Sequence, residues 1–376
     1  MTSGIGDIEL PSISAAVLAG RPHPKLYIGA AGFEDRCLAW LESAAAEHLV
    51  PEHVITVQYL PRNRKNRVVA FKRRIDMLGV PAAEQTSLTY NRFDPNQFCL
   101  DLEHHLGRLS LDDVVVDVSG MSKLLIVVLL KQLADRCKGI EVVCGEARVY
   151  YPLERDVDLS VPPRNIGTYL TKDVYTIAST DTLASVAMQG YPNLIVAFAT
   201  FNFRELEALA NELSPQMIIV IEGEPHDPVD GWRLEAVRAI NQRTEALAQS
   251  PRKVLKTFDY VETMAYLEEV YQTYGGTHKV IIAPTGSKLQ TLGVALFKFL
   301  RPDVQIVYPV TSDFAKEYTR GCRALWAVRF EDWPGTIDML TEYRRSDLRS
   351  LREAIRSAEA RVSGRTESRA DAEGSM

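Results

Sequence analysis

Short runs of consecutive apolar residues recur along this chain, each followed by a segment whose apolar positions fall at helical spacing. Leu26–Ala30, Val54–Tyr59, Val114–Val118 and Glu141–Cys144 read as strands, with another around Arg148–Tyr151. Between them, Arg36–Ala46, Val68–Met77, Gln97–Leu106 and Lys123–Lys138 carry helical periodicity. The Val/Ile runs are continuous and do not alternate with polar residues. That pattern predicts strands buried on both faces, and so a parallel sheet flanked by helices. Strands alternating with helices predict a Rossmann-like α/β fold.

The alternation then starts again. Strands are expected at Leu194–Phe198, Met217–Ile221, Val280–Ala283 and Val304–Val310, and helices at Arg204–Leu213, Arg233–Leu247, Tyr260–Tyr274 and Lys288–Leu300. Matching landmarks recur at offsets of 168 residues (Leu26 to Leu194), 163 (Ile55 to Ile218) and 165 (Lys123 to Lys288). The chain therefore reads as an α/β protein of two tandem Rossmann-like units with mainly parallel sheets. Residues 1–24 form a lead-in, 25–155 the first unit and 156–192 a linker region with a strand at Tyr175–Ala178. Residues 193–330 form the second unit, ending in a strand at Ala324–Phe330. The C-terminal helix is assigned to 331–361, charged and running from about Thr336 to Arg361, with Leu340, Tyr343, Leu348, Leu351 and Ile355 as its apolar positions. The Ser/Gly/Glu-rich tail, 362–376, is expected to be disordered.

Composition narrows the class. A chain of 376 residues is long enough for two domains with separate cores. A content of 46% hydrophobic and 24% charged residues is that of a globular protein. The net charge of -6 argues against a whole-surface attraction to nucleic acid or anionic membrane. Cys37, Cys99, Cys137, Cys144 and Cys322 are scattered, odd in number and lack a Cys-x-x-Cys pair, as expected of reduced thiols and not of a disulfide framework or zinc site. The N-terminus lacks a signal pattern, and the longest apolar run, Leu124–Leu130, is too short to span a bilayer. A cytoplasmic protein with no membrane partner is expected.

Chemistry concentrates where strands run into helices. Asp117-Val118-Ser119-Gly120-Met121-Ser122-Lys123 lies at such a junction, and Thr285-Gly286-Ser287-Lys288 repeats its glycine, hydroxyls and lysine one residue shorter. Ligands of open α/β sheets bind beyond the carboxyl ends of strands, and helix N-termini suit phosphate. Gly120 would let backbone approach a ligand closely. Helix capping by the serines and threonine is the plain alternative. The loops after each first strand are the natural partners: Gly29, Gly32, Glu34, Asp35 and Arg36 in one copy, Thr200, Asn202 and Arg204 in the other. Arg36 and Arg204 could hold phosphate bidentately or pair with neighbouring carboxylates.

The copies diverge after their second strands. The first has Arg62-Asn63-Arg64-Lys65-Asn66-Arg67 followed by Lys72-Arg73-Arg74, the second Glu222-Gly223-Glu224-Pro225-His226-Asp227. The segment Arg62–Arg74 is either a polyanion contact or a solvated face. The contrast predicts a lopsided cleft in which the first copy holds more of a ligand's negative charge. His104, His105 and His226 lack metal-ligand companions, so no metal or cofactor is called for. There is no Gly-x-x-x-x-Gly-Lys-Ser/Thr, Gly-x-Gly-x-x-Gly or Gly-x-Ser-x-Gly pattern, so no catalytic residues are assigned.

A fourth strand entering Asp/Asn-x-Ser/Thr-x-x-x-Lys/Arg resembles the CARF domain, the cyclic-oligonucleotide sensor of CRISPR-associated defence. Asp117, Ser119 and Lys123 match this spacing; in the second copy Ala283 replaces the acidic residue and Lys288 comes one residue early. Two such units in one chain are similar to the SAVED domains of cyclic-nucleotide antiphage systems. The resemblance covers roughly 25–155 and 193–330. It implies a nucleotide second messenger, such as a cyclic oligonucleotide, bound between the lobes, and signalling to a separate effector protein in antiviral defence. Homo-oligomerisation is a further partner option. The alternatives are a metal-independent ring nuclease cleaving cyclic oligoadenylate, a two-lobed transferase, and a structural or partner-docking subunit.

Overall fold

The computed structural model describes residues 8–107, 109, 111–161, 169–242, 245–315 and 317–347. The expected tail at 362–376, and the part of the C-terminal helix beyond 347 with Leu348, Leu351 and Ile355, lie outside the described residues.

In chain order the first half comprises β1 (Ser14–Ala15), β2 (Leu26–Ala30), α1 (Ala39–Ala46), β3 (His53–Leu60), α2 (Val68–Leu78), β4 (Gln85–Asn91), α3 (Asn96–Leu106), β5 (Asp113–Asp117), α4 (Lys123–Gln132) and β6 (Gly139–Tyr150). After β7 (Val174–Ala178) come β8 (Asn193–Phe198), α5 (Arg204–Leu213), β9 (Met217–Glu224), α6 (Trp232–Ile240), α7 (Glu245–Ala248), β10 (Arg252–Lys256), α8 (Tyr260–Tyr274), β11 (Lys279–Ala283) and α9 (Lys288–Leu300). The chain closes with β12 (Gln305–Ile306), β13 (Tyr308–Thr311), β14 (Thr319–Phe330) and a helix over 333–347.

The two units share one strand order. In the first, β6-β5-β2-β3-β4 are parallel neighbours; in the second, β12-β11-β8-β9-β10 are. Each sheet reverses direction of growth between its first and fourth strands, β2/β5 and β8/β11. These are the two topological switch points, where the sheet opens a crevice for ligand. The duplication expected from the offsets is present as two Rossmann-like units.

The connection between them is where the sequence boundaries need correction. β14 does not belong to the second unit: it runs antiparallel to β6 in the first sheet, and β1 adds antiparallel to β14. β6 is one continuous strand spanning the two segments expected at Glu141–Cys144 and Arg148–Tyr151. Without β14 that long strand would expose a full edge of unpaired N–H and C=O groups. The lead-in is likewise docked, with Tyr260 Oη donating to the Pro11 carbonyl. The strand expected over Val304–Val310 is divided into β12 and β13, and β13 leaves its sheet to pair with β7. The helix expected over Arg233–Leu247 is divided into α6 and α7.

The core explains why two helices are so rich in apolar residues. Every residue from Leu124 to Leu130 in α4 is buried, as is every residue of α9. Both contribute to a single hydrophobic cluster that also takes residues from β2, β5, β8 and β11. A helix hydrophobic on every face is one enclosed on every face. Packing α4 on α9 therefore fuses the lobes through a shared core and brings the N-termini of these two helices together. Among the described residues, no helix is long and apolar enough to cross a membrane.

Candidate functional site

At the first switch point the loops after β2 and β5 touch through glycine. A Cβ on Gly120 would lie 2.2 Å from the Ala30 carbonyl oxygen, and one on Gly32 would lie 2.8 Å from that of Gly120. The glycines are required by this backbone-to-backbone approach. Asp117 fastens the turn: it accepts from the Ser119 N–H at 2.9 Å and from Tyr27 Oη at 3.0 Å. Ser119 Oγ accepts from the Gly145 N–H at 2.7 Å, tying the turn to β6. Tyr59 Oη donates to the Gly120 carbonyl at 3.0 Å and accepts from the Ser122 N–H at 2.8 Å. Ser122 caps α4, and Lys123 follows as its first residue.

The second switch point reaches a similar turn by other bonds. Thr285 Oγ1 donates to the Phe198 carbonyl at 2.5 Å and accepts from its N–H at 3.2 Å. Ser287 caps α9 in a reciprocal arrangement with Gln290 and donates to the Thr257 carbonyl at 2.6 Å. These hydroxyls are engaged in building the turn, as the capping alternative anticipates.

Both lysine loops line one cleft of about 360 Å³ between the lobes. Lys288 reaches across it and donates to the Met121 carbonyl at 2.8 Å, with its ammonium 3.7 Å from Glu34. Glu34 in turn accepts from Arg36 at 2.8 Å and from Thr319 Oγ1 at 2.8 Å, and Arg36 also donates to the Gly145 carbonyl. Burial lowers the Lys288 amine to about 8, against the pull of Glu34 in the other direction. Burial also pushes the Glu34 carboxyl up, but Arg36 and Lys288 outweigh it and the net shift is downward.

Lys123 is the counterpart of Lys288 and is placed differently. It makes no hydrogen bond or ion pair among the described residues, and burial lowers its pKa while Glu205 and Glu34 oppose that. Glu205, on α5 of the other lobe, is buried and accepts from Thr200 Oγ1 at 2.8 Å. Burial raises its carboxyl to about 7, against the Thr200 hydrogen bond and the Lys123 charge. Each lysine thus faces a carboxylate of the opposite lobe, with one pairing closed and the other open.

Of the expected residues, Gly32, Arg36, Gly120, Ser122 and Lys123 line the cleft from the first lobe. Thr200, Asn202, Thr285, Gly286, Ser287 and Lys288 line it from the second. Four do not. Gly29 is a buried strand residue whose Cβ position is filled by Tyr27 and Phe71. Asp117 and Ser119 sit beneath the turn, and Arg204 points away to pair with Asp173. Among the basic residues at 62–74, Arg67 pairs with Asp35 and Arg74 with Glu42, while Lys65 Nζ donates to the Phe314 carbonyl at 2.8 Å.

Sequence reasoning missed the aromatic walls and two charged groups. Tyr59, Tyr90, Tyr150, Tyr308 and Tyr318 all line the cleft. Phe33 packs on Phe314 and Tyr318 at centroid distances of 4.8 and 5.3 Å. Arg92 lies over the Phe314 ring at 5.2 Å, and Glu205 was overlooked beside the more conspicuous Arg204. Position just after a strand's carboxyl end is the one signal that marks Arg92.

No family model matches the chain, and no curated protein does either. A solved structure that it is similar to is the cytoplasmic domain of a prokaryotic cation chloride cotransporter, at 8% identity, covering 77% of this chain and 96% of that one. The TM-score is 0.23, too loose a superposition to define a common fold.

Proposed function

We propose that the interlobe cleft binds a nucleotide second messenger, such as a cyclic oligonucleotide, and that the protein passes this signal to a separate effector in antiviral defence. One observation carries the reading: two lysine loops at helix N-termini, distant in sequence, line a single cleft together with several tyrosines and phenylalanines. Lysine and helix N-termini suit phosphate, and tyrosine and phenylalanine faces suit nucleobases. Calorimetry with cyclic mono-, di-, tri- and tetranucleotides tests it. Binding that is weakened by Lys123→Ala supports the reading; no binding to any member, or binding indifferent to that substitution, overturns it.

A second reading is cleavage of the bound phosphodiester. It is favoured by Glu205, a carboxyl poised near neutrality opposite Lys123, which suits proton transfer. Turnover of cyclic oligoadenylate that is lost in Glu205→Gln would favour it over pure sensing.

A further inference from the structure

Resting on the nucleotide reading, we infer that the ligand of this cleft carries one or two phosphates, with Lys123 and Arg92 as its anion-holding residues. Most cations around the cleft already have partners. Arg36 is bonded to Glu34 and to the Gly145 carbonyl. Lys288 is held by the Met121 carbonyl and lies beside Glu34. Arg233 donates to the Tyr150, Tyr151 and Pro152 carbonyls and stacks over Phe201 at 4.6 Å. Among the described residues Lys123 has no such partner, and Arg92 has a 3.5 Å contact to the Thr311 carbonyl and its neighbouring rings.

Carboxylates edge the same cleft. Glu34 is paired with Arg36 and Lys288, and Glu146 and Asp227 with Arg323, while Glu205 and Asp230 make no ion pair among the described residues. A ligand with three or four phosphates would bring more charge than two uncommitted cations offset, into a partly desolvated site edged by carboxylates. Unpaired charge in such a setting is strongly disfavoured. Size points the same way. About 360 Å³ is near the small end of ligand clefts, which run from roughly 300 to 1,000 Å³. Aromatic walls then supply most of the contact area, and stacking is indifferent to charge.

The test is calorimetry on the full chain with 3′,5′-cyclic AMP, cyclic di-AMP, cyclic tri-AMP and cyclic tetra-AMP, and the guanine equivalents. The expected result is binding of mono- or dinucleotides with at least tenfold weaker binding of the larger rings. Arg92→Ala should weaken cyclic di-AMP more than cyclic AMP, and Glu205→Gln, removing one carboxylate, should improve cyclic tri-AMP. Tighter binding of the tri- or tetranucleotide overturns this inference and leaves the nucleotide reading intact. No binding by any of them overturns both. Circular dichroism of each variant separates lost binding from lost folding.

Discussion

Lys288 of the second lobe donates to the Met121 carbonyl of the first at 2.8 Å, so the lysine of one switch-point loop holds down the other loop. Its duplicate, Lys123, makes no side-chain hydrogen bond or ion pair among the described residues and has Glu205 and Glu34 as its charged neighbours. Equivalent residues of the two units thus have different tasks: one joins the lobes and the other faces the cleft.

This difference separates two substitutions. Lys123→Ala is expected to reduce cyclic-nucleotide affinity at least tenfold with little change in melting temperature. Lys288→Ala leaves the Met121 carbonyl unbonded and removes a cation from beside Glu34. It should destabilise the fold, by less than the roughly 1–3 kcal/mol of an unmade hydrogen bond because the burial cost of the ammonium is relieved, seen as an earlier denaturant midpoint.

Glu205 makes stability depend on pH. Its folded-state value, about 7, is above the ordinary 4.5, so its penalty is absent at acid pH and grows as pH rises through that interval. Glu205→Gln should therefore gain on the wild type from pH 5 to 8, by on the order of 3 kcal/mol at most. Lys288 acts in the opposite sense at higher pH. Its folded value near 8 lies below 10.5, so the penalty is full below 8 and relieved toward 10.5. Denaturant unfolding at a series of pH values measures both; a flat difference curve for Glu205→Gln would contradict the first.

Ser119 braces the turn through the Gly145 N–H. Ser119→Ala strands the buried Gly145 N–H and should destabilise by about 1–3 kcal/mol. Nucleotide affinity, measured on the folded fraction, should stay within twofold.

Gly293→Ala tests the packing of α9 on α8. In an exposed helix this change adds up to about 1 kcal/mol of stability. Here the new Cβ would stand 2.3 Å from the Tyr260 carbonyl oxygen, and the sign should reverse. Thermal unfolding reads the result directly.

The legible part of the fold was the part buried on both faces. Val114–Val116 and Val280–Ile282 announce themselves because a central strand needs no polar residue. β4 and β10 were invisible for the converse reason. They are edge strands, and Gln-Thr-Ser-Leu-Thr-Tyr-Asn and Arg-Lys-Val-Leu-Lys look like loop sequence because half their surface is wet. The site showed the same split. Glycines and lysines at the strand ends were found because turn geometry demands them locally. The tyrosines, Arg92 and Glu205 come from separate elements and converge only once the lobes are packed.

The return of β14 to the first sheet has a mechanical consequence. The backbone passes between the lobes in the stretch after β6 and again on the way from β13 to β14, and the helix after β14 returns to the second lobe, where Asp347 pairs with Arg301. A frame tied at several places resists swinging open about any one of them. Cutting the first crossing would leave two fragments still interlocked through a shared sheet. Phe314 and Tyr318, on the way from β13 to β14, make one wall of the cleft part of that tie.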